Sequence, residues 1–172
     1  MKLIAVSMSP PKGLSDLLTD ISDGQNGFGG TSFATGQISL EGFLRQCLDE
    51  ANPAKLRPGF VPQTIYWLLD NNGLAVAMVR VRHLLNESLL VNGGHIGYFV
   101  HSDQRGKGYG KEALRLALLE LKKLGESRAL ITVRSDNIAS IKVIESNGGR
   151  FEDEVTSSDG IRHKRFWIEL TK

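Results

Sequence analysis

The chain has 172 residues, 41% of them apolar and 23% charged, which fits one folded domain with a sizeable core and excludes a disordered segment. Twenty-one Lys and Arg against nineteen Asp and Glu leave a net charge of +2, too little for the basic stripe of a nucleic-acid binder. The lone Cys47 allows no disulfide framework, His83, His95, His101 and His163 have no metal-ligand spacing, and no apolar run spans a bilayer; no metal, nucleic acid or membrane is expected.

Lys2 to Val6 reads as a short buried strand, too short for the apolar core of a signal peptide, so a reducing cytoplasm is the expected compartment. Residues 9 to 37 are broken by prolines and glycines. Within them Leu14, Leu17, Leu18 and Ile21 keep helical spacing, whereas Ser22 to Gly36 reads as a loop, either a surface connection or a lid. Ser39 can cap a helix from Leu40 to about Glu50, which Pro53 ends. Thr64 to Leu69, a turn at Asp70 to Gly73, and the alternating run Leu74 to Leu84 read as a hairpin. Gly94 to Val100 adds a third strand of an antiparallel meander, reached through a loop over residues 86 to 93. From Gly108 to Leu124 the apolar residues recur with helical period, and Gly125 ends that helix. Ala129 to Val133 is the next strand, and a right-handed crossover makes it parallel to strand 94–100. A short helix from Ile138 to about Ser146 and two strands, Arg150 to Val155 and His163 to Leu170, close the chain. One α/β domain over residues 1–172 is expected, with a mixed, mostly antiparallel central sheet and flanking helices.

The most informative stretch is Gln104-Arg-Gly-Lys-Gly-Tyr-Gly-Lys111, between the end of a strand and the start of the periodic helix. Glycines let a tight turn present its N–H groups inward, and the helix N-terminus adds the equivalent of roughly half a positive charge. Such a turn is a phosphate or pyrophosphate seat, with Arg105, Lys107 and Lys111 as nearby counter-charge. The dinucleotide fingerprint fails, because position 111 is Lys where Gly is needed and the next strand ends without an acidic residue. A P-loop fails on spacing as well.

Arg105-x-x-Gly108-x-Gly110, directly after Phe99-Val100, resembles the coenzyme-A pyrophosphate loop of the GNAT superfamily of N-acetyltransferases. Asn137-Ile-Ala-Ser140, the helix after it and Gly148-Gly149 resemble that superfamily's second block. The run Arg82-His-Leu-Leu-Asn86, with Gly93-Gly-His-Ile-Gly-Tyr98, looks like a bacterial branch of these acetyltransferases. The resemblance covers residues 38 to 170 and leaves out the strand and Gly-rich segment at 1 to 37.

The resemblance implies a splayed pair of parallel strands with the pantetheine arm of acetyl-CoA in the gap. Backbone groups of Phe99 and Val100 would pair with that arm. Those of Arg105, Gly106, Lys107, Gly108, Tyr109, Gly110 and Lys111 would hold the pyrophosphate, and Asn137 and Ser140 would approach from the opposite strand. Asn137 is also a good N-cap for the following helix. The implied chemistry is attack of an amine on the acetyl thioester, with no metal. The acceptor is a small-molecule or protein amine, and a homodimer is left open. Where many members carry a thiolate-protonating Tyr, this chain has Ile144. Tyr98 is the candidate acid, and His95 the candidate base, with Arg82 and His83 as further candidates. Strand alternation sets His95 and Tyr98 on opposite faces. A non-catalytic CoA or acyl-CoA sensor, and a transferase using another acyl donor, are the alternatives.

Overall fold

Two long strands, buried on both faces over much of their length, organise the molecule, and each face meets its own core. The computed structural model describes residues 1–170; Thr171 and Lys172, within the expected domain, lie outside the described residues. In chain order the elements are β1 (Lys2–Ala5), α1 (Leu14–Ile21), β2 (Gly24–Gln25), β3 (Phe28–Gly29), α2 (Leu40–Asp49), β4 (Gln63–Leu69), β5 (Ala75–Arg82) and α3 (Glu87–Val91). They continue with β6 (Ile96–Val100), α4 (Tyr109–Lys123), β7 (Arg128–Arg134), α5 (Ile138–Ser146), β8 (Arg150–Thr156) and β9 (Arg162–Glu169).

Ile65, Trp67, Leu69 and Met78 turn one face of β4 and β5 towards α1 and α2, where Leu17, Leu18, Phe43 and Leu44 bury them. Leu68, Val79 and Val81 turn the other face towards α4 and the second sheet, meeting Leu114, Ala117, Leu121, Ile131 and Phe166. No side chain caps α4. Its fully buried Leu114 and Leu121 each contribute on the order of 2 kcal/mol, more than a typical missing cap costs. Lys122 and Lys123 in its last turn complement the helix dipole. Among the described residues no helix is long and apolar enough to cross a membrane, and no group of three or more His, Cys, Asp or Glu is arranged to hold a metal.

The α/β architecture matches expectation, with two differences of detail. The strands form a four-stranded sheet in the order β1-β4-β5-β6 and a separate three-stranded sheet in the order β7-β9-β8, not one continuous sheet. The expected pairing between β6 and β7 shrinks to a tether. His95 N–H donates to the Leu130 carbonyl at 2.8 Å. Leu130 N–H goes to His95 Nδ1 at 2.9 Å and Gly93 N–H to Thr132 Oγ1 at 2.8 Å, so side chains take up the backbone donors a ladder would use. Gly94 sits there at φ +57°, and a Cβ on it would lie 2.4 Å from the Leu130 carbonyl oxygen. That close approach ends the strand at Ile96, two residues later than the expected start at Gly94.

Two elements are additional. Gln25 pairs with Phe28 across Asn26-Gly27, whose positive φ values of 51° and 87° are those of a type I′ hairpin turn. Thus part of the expected loop at 22–36 is a small hairpin. Asn86 Oδ1 accepts Leu89 N–H at 2.9 Å, capping α3 inside the expected loop at 86–93.

Candidate functional site

Beyond the tether, β6 and β7 separate around a cavity of about 520 Å³. Residues following β6 (Gly108, Gly110, Lys111) and residues following β7 (Asn137, Ser140, Val143) line the same space, so the ends of both strands open into it. β6 is an edge strand. Arg82 N–H bonds His95 C=O, and His101 N–H bonds Val76 C=O. The residues between them alternate, so Phe99 turns its backbone groups to Met78 while those of Ile96, Tyr98 and Val100 face the cleft. This corrects the expectation for Phe99, which reaches the cleft with its ring. The Val100 carbonyl accepts from Arg105 Nε at 3.1 Å, and that arginine also bonds Gln25 Oε1, tying the β2–β3 hairpin to the glycine-rich turn.

At that turn Gly106 and Gly108 have φ of 77° and 83°, and a Cβ on either would point into open space. Gly108 precedes α4 with no capping side chain, which leaves the first N–H groups of the helix open to a ligand. Of the turn residues expected at the site, Arg105, Gly106, Gly108, Tyr109, Gly110 and Lys111 line the cavity. The Lys107 side chain does not; its Nζ donates to Gln104 Oε1 at 2.9 Å. Gly110 packs against Tyr98, Val100 and Val143. Asn137 and Ser140 line the cavity from the start of α5, and Asn137 Oδ1 accepts Ser140 N–H at 3.1 Å.

His95 does not line the cavity. Its side chain is buried in the tether, with Nε2 4.0 Å from Glu126. Burial, with the Arg82 charge adding to it, pushes its pKa down to about 4. The structure therefore separates this expected base from the cleft, because the strand breaks at 95 and the ring is taken up by Leu130. His83 also lies outside, its Nε2 2.8 Å from Thr64 Oγ1. Tyr98 does line the cavity. Its hydroxyl is enclosed and meets no partner in good geometry; burial raises its pKa and outweighs the nearby Ser140, so it stays protonated. Ile144, at the position where the resemblance implied an acid, lines the cavity too and is buried.

Other lining residues escaped the sequence reading. Phe28 packs with its ring tilted against that of Phe99, centroids 5.9 Å apart, making the hairpin one wall. Thr132 and His163 line the far side, His163 with Nε2 3.1 Å from Ser157 Oγ. Arg80 reaches in from β5 beside Arg82, which the sequence offered only as a candidate base. The Asn26-Gly27 pair was the available signal for the hairpin; the others lie on alternating strands, whose pattern does not show what their polar face meets.

Against known proteins, a family described as acetyltransferase (GNAT) domain matches residues 40–150. No curated protein matches. Solved structures share the fold. The ribosomal-protein-S5-alanine acetyltransferase of Vibrio fischeri superposes with a TM-score of 0.70 at 16% identity, over 98% of this chain and 92% of that one. The protein yncA of Salmonella typhimurium, solved with its cofactor acetyl-CoA, gives 0.68 at 12% identity over 99% and 94%. A variant of spermidine N-acetyltransferase SpeG from Vibrio cholerae gives 0.66 at 14% over 99% and 95%.

Proposed function

The chain belongs to the GNAT acetyltransferase family, as an acyltransferase with acetyl-CoA as co-substrate, and we propose that it acetylates an amine in the cleft between β6 and β7. The observation that carries this is the joint presence of an open strand edge and an uncapped helix N-terminus on one cavity. The N–H groups of residues 105–111 would hold the pyrophosphate, with Arg105 and Lys111 as counter-charge. Ile96, Tyr98 and Val100 would offer backbone groups to the pantetheine arm, as an added strand does. Asn137 and Ser140 would contact that arm from the start of α5. The fit is steric as well, since nothing occupies the space in front of Gly106 and Gly108.

With the donor so held, the acceptor's nitrogen lone pair attacks the thioester carbon, the carbon–sulfur bond breaks, and the electron pair leaves on sulfur. The amine loses one proton and the thiolate gains one. Holding both reactants together supplies much of the rate. Thiolate protonation falls to solvent, because Ile144 has no proton to give and the Tyr98 hydroxyl is enclosed. Tyr98→Phe should therefore lower kcat by less than about tenfold, against the roughly hundredfold or greater loss typical of a positioned acid. It also removes an unpartnered buried hydroxyl, so thermal stability should hold or rise. Complete loss of turnover with acetyl-CoA binding intact would instead make Tyr98 the acid.

A sensor that binds acyl-CoA without turnover is the second reading, favoured by Ile144. Thiol release from acetyl-CoA across a panel of amines separates the two. Release that requires a particular amine supports the transferase; ligand-induced stabilisation with no release supports the sensor.

A further inference from the structure

The charged side chains lining the cleft are all basic: Arg80, Arg82, Arg105, Lys111 and Arg134, with no Asp or Glu lining it among the described residues. Arg105 and Lys111 belong to the phosphate turn, and Arg134 is paired with Asp136 at 2.8 Å. Arg80 and Arg82 have no such employment. They stand two apart on β5, hence on one face, where Arg80 pairs with Gly97 and Arg82 bonds His95. Neither makes an ion pair with a described carboxylate. Arg80 lies over the Phe28 ring at 4.3 Å and gives one hydrogen bond, from Nη2 to the Gly29 carbonyl at 3.3 Å. Arg82 uses Nη1 alone, towards the carbonyls of Gly93 and Gly94 at 2.9 and 3.1 Å. Most of the donors on both guanidinium groups are left over. Burial disfavours both charges; for Arg82 the neighbouring Arg80 adds to it, and the pKa falls to about 10. For Arg80 the Glu50 carboxylate offsets burial in part, although Glu50 is itself hydrogen-bonded to Gln46 and Gln63.

The donor does not need these two cations. All the charge of acetyl-CoA is on its phosphates, and the phosphate turn follows Val100. Gly97, the partner of Arg80, is three residues before Val100, about 10 Å back along the strand at ~3.3 Å per residue, and Arg82 is further still. At that depth the donor is neutral pantetheine and thioester. Half-buried cations without a direct ion pair are costly unless a ligand supplies one, and the Glu50 carboxylate offsets this for Arg80 only in part.

We propose that Arg80 and Arg82 form an oxyanion subsite, and that the acceptor is a small amine bearing a carboxylate or phosphate, such as an α-amino acid, and not a polyamine. The assignment rests on the transferase reading. Two guanidinium groups can grip an oxyanion through charge-assisted hydrogen bonds and repel a second ammonium. Their field also favours the neutral form of the acceptor's own amine, the form that attacks, in a cleft that offers no carboxylate base among the described residues.

The test is thiol release under saturating acetyl-CoA with the twenty α-amino acids, phosphoethanolamine, spermidine and benzylamine. The best amino acid is also assayed as its amide. One or more oxyanionic amines should lead the panel, the amino-acid and phosphoamine arms telling carboxylate from phosphate. Removing the negative charge by amidation should raise KM about 10–100-fold, the size of a charge-assisted hydrogen bond. Arg80→Gln should raise KM for the acid by a similar factor, leave KM for the amide unchanged, and leave the acetyl-CoA melting shift intact. Spermidine or benzylamine outperforming every oxyanionic amine would overturn the subsite while leaving the transferase standing. So would an equal KM rise for acid and amide in Arg80→Gln. Absence of thiol release with every amine would instead sink the transferase reading, and the subsite with it.

Discussion

Gly108→Trp should abolish the rise in melting temperature that acetyl-CoA gives the wild-type protein. A ligand at a hundred times its Kd stabilises the folded state by about 2.7 kcal/mol, roughly 5–10 °C for a domain of this size. The Cβ of residue 108 would project into the open space before the N-terminus of α4, so an indole there occupies the pyrophosphate's place without touching the apo core. At φ +83° the substitution also strains the backbone, by about 1–2 kcal/mol, which lowers the starting temperature and not the difference. Gly108 is a cleaner position than Gly110, where a bulky residue would also displace Tyr98, Val100 and Val143. An undiminished shift in Gly108→Trp would mean that the turn carries no phosphate.

Acidification should destabilise the protein through His95 by on the order of 3 kcal/mol, a shift of about 2.5 pKa units at 1.36 kcal/mol each. Burial, with Arg82 adding to it, pushes the folded pKa down to about 4 from the ordinary 6.5, so the unfolded chain takes the proton more readily. The stabilisation is complete above pH ~6.5, drains away as pH falls through the interval, and is gone below pH ~4. His95→Asn keeps an acceptor for Leu130 N–H but does not titrate, so its melting temperature should lose this slope, a difference of roughly 6–12 °C at pH 4. Its kcat should stay within a few-fold of wild type, because the ring fastens β6 to β7 away from the cleft. Parallel pH profiles for the two proteins would refute the tether's role in acid sensitivity. A hundredfold loss of kcat would restore His95 as a base.

What the sequence made legible was local. Gly106 to Lys111 before a strongly periodic helix marked the turn proposed to hold the phosphates, and the strand-like run Thr64 to Leu69 with the alternating run Leu74 to Leu84 marked the hairpin of β4 and β5. The Asn26-Gly27 turn was visible but submerged among glycines that read as loop. The late start of β6 was not legible, because it depends on His95, Thr132 and Leu130 meeting across residues distant in the chain. Residue type and a place on the strand flanking the cleft made His95 a candidate base; only its orientation makes it a fastening. The same blindness hid Arg80 and gave Arg82 only the role of a candidate base. Alternation says that they share a polar face of β5, and cannot say whether that face looks into water or into a cleft. The order β7-β9-β8 came from packing of the closing hairpin against β7, for which no short-range signal exists.

A crystal structure of the protein grown with acetyl-CoA tests the central assignment most directly. Pyrophosphate oxygens should lie within hydrogen-bond reach of backbone N–H groups between Arg105 and Lys111, with the pantetheine arm beside Ile96 to Val100 in the gap before β7. Nucleotide density seated elsewhere, with that gap closed or empty, would contradict that assignment.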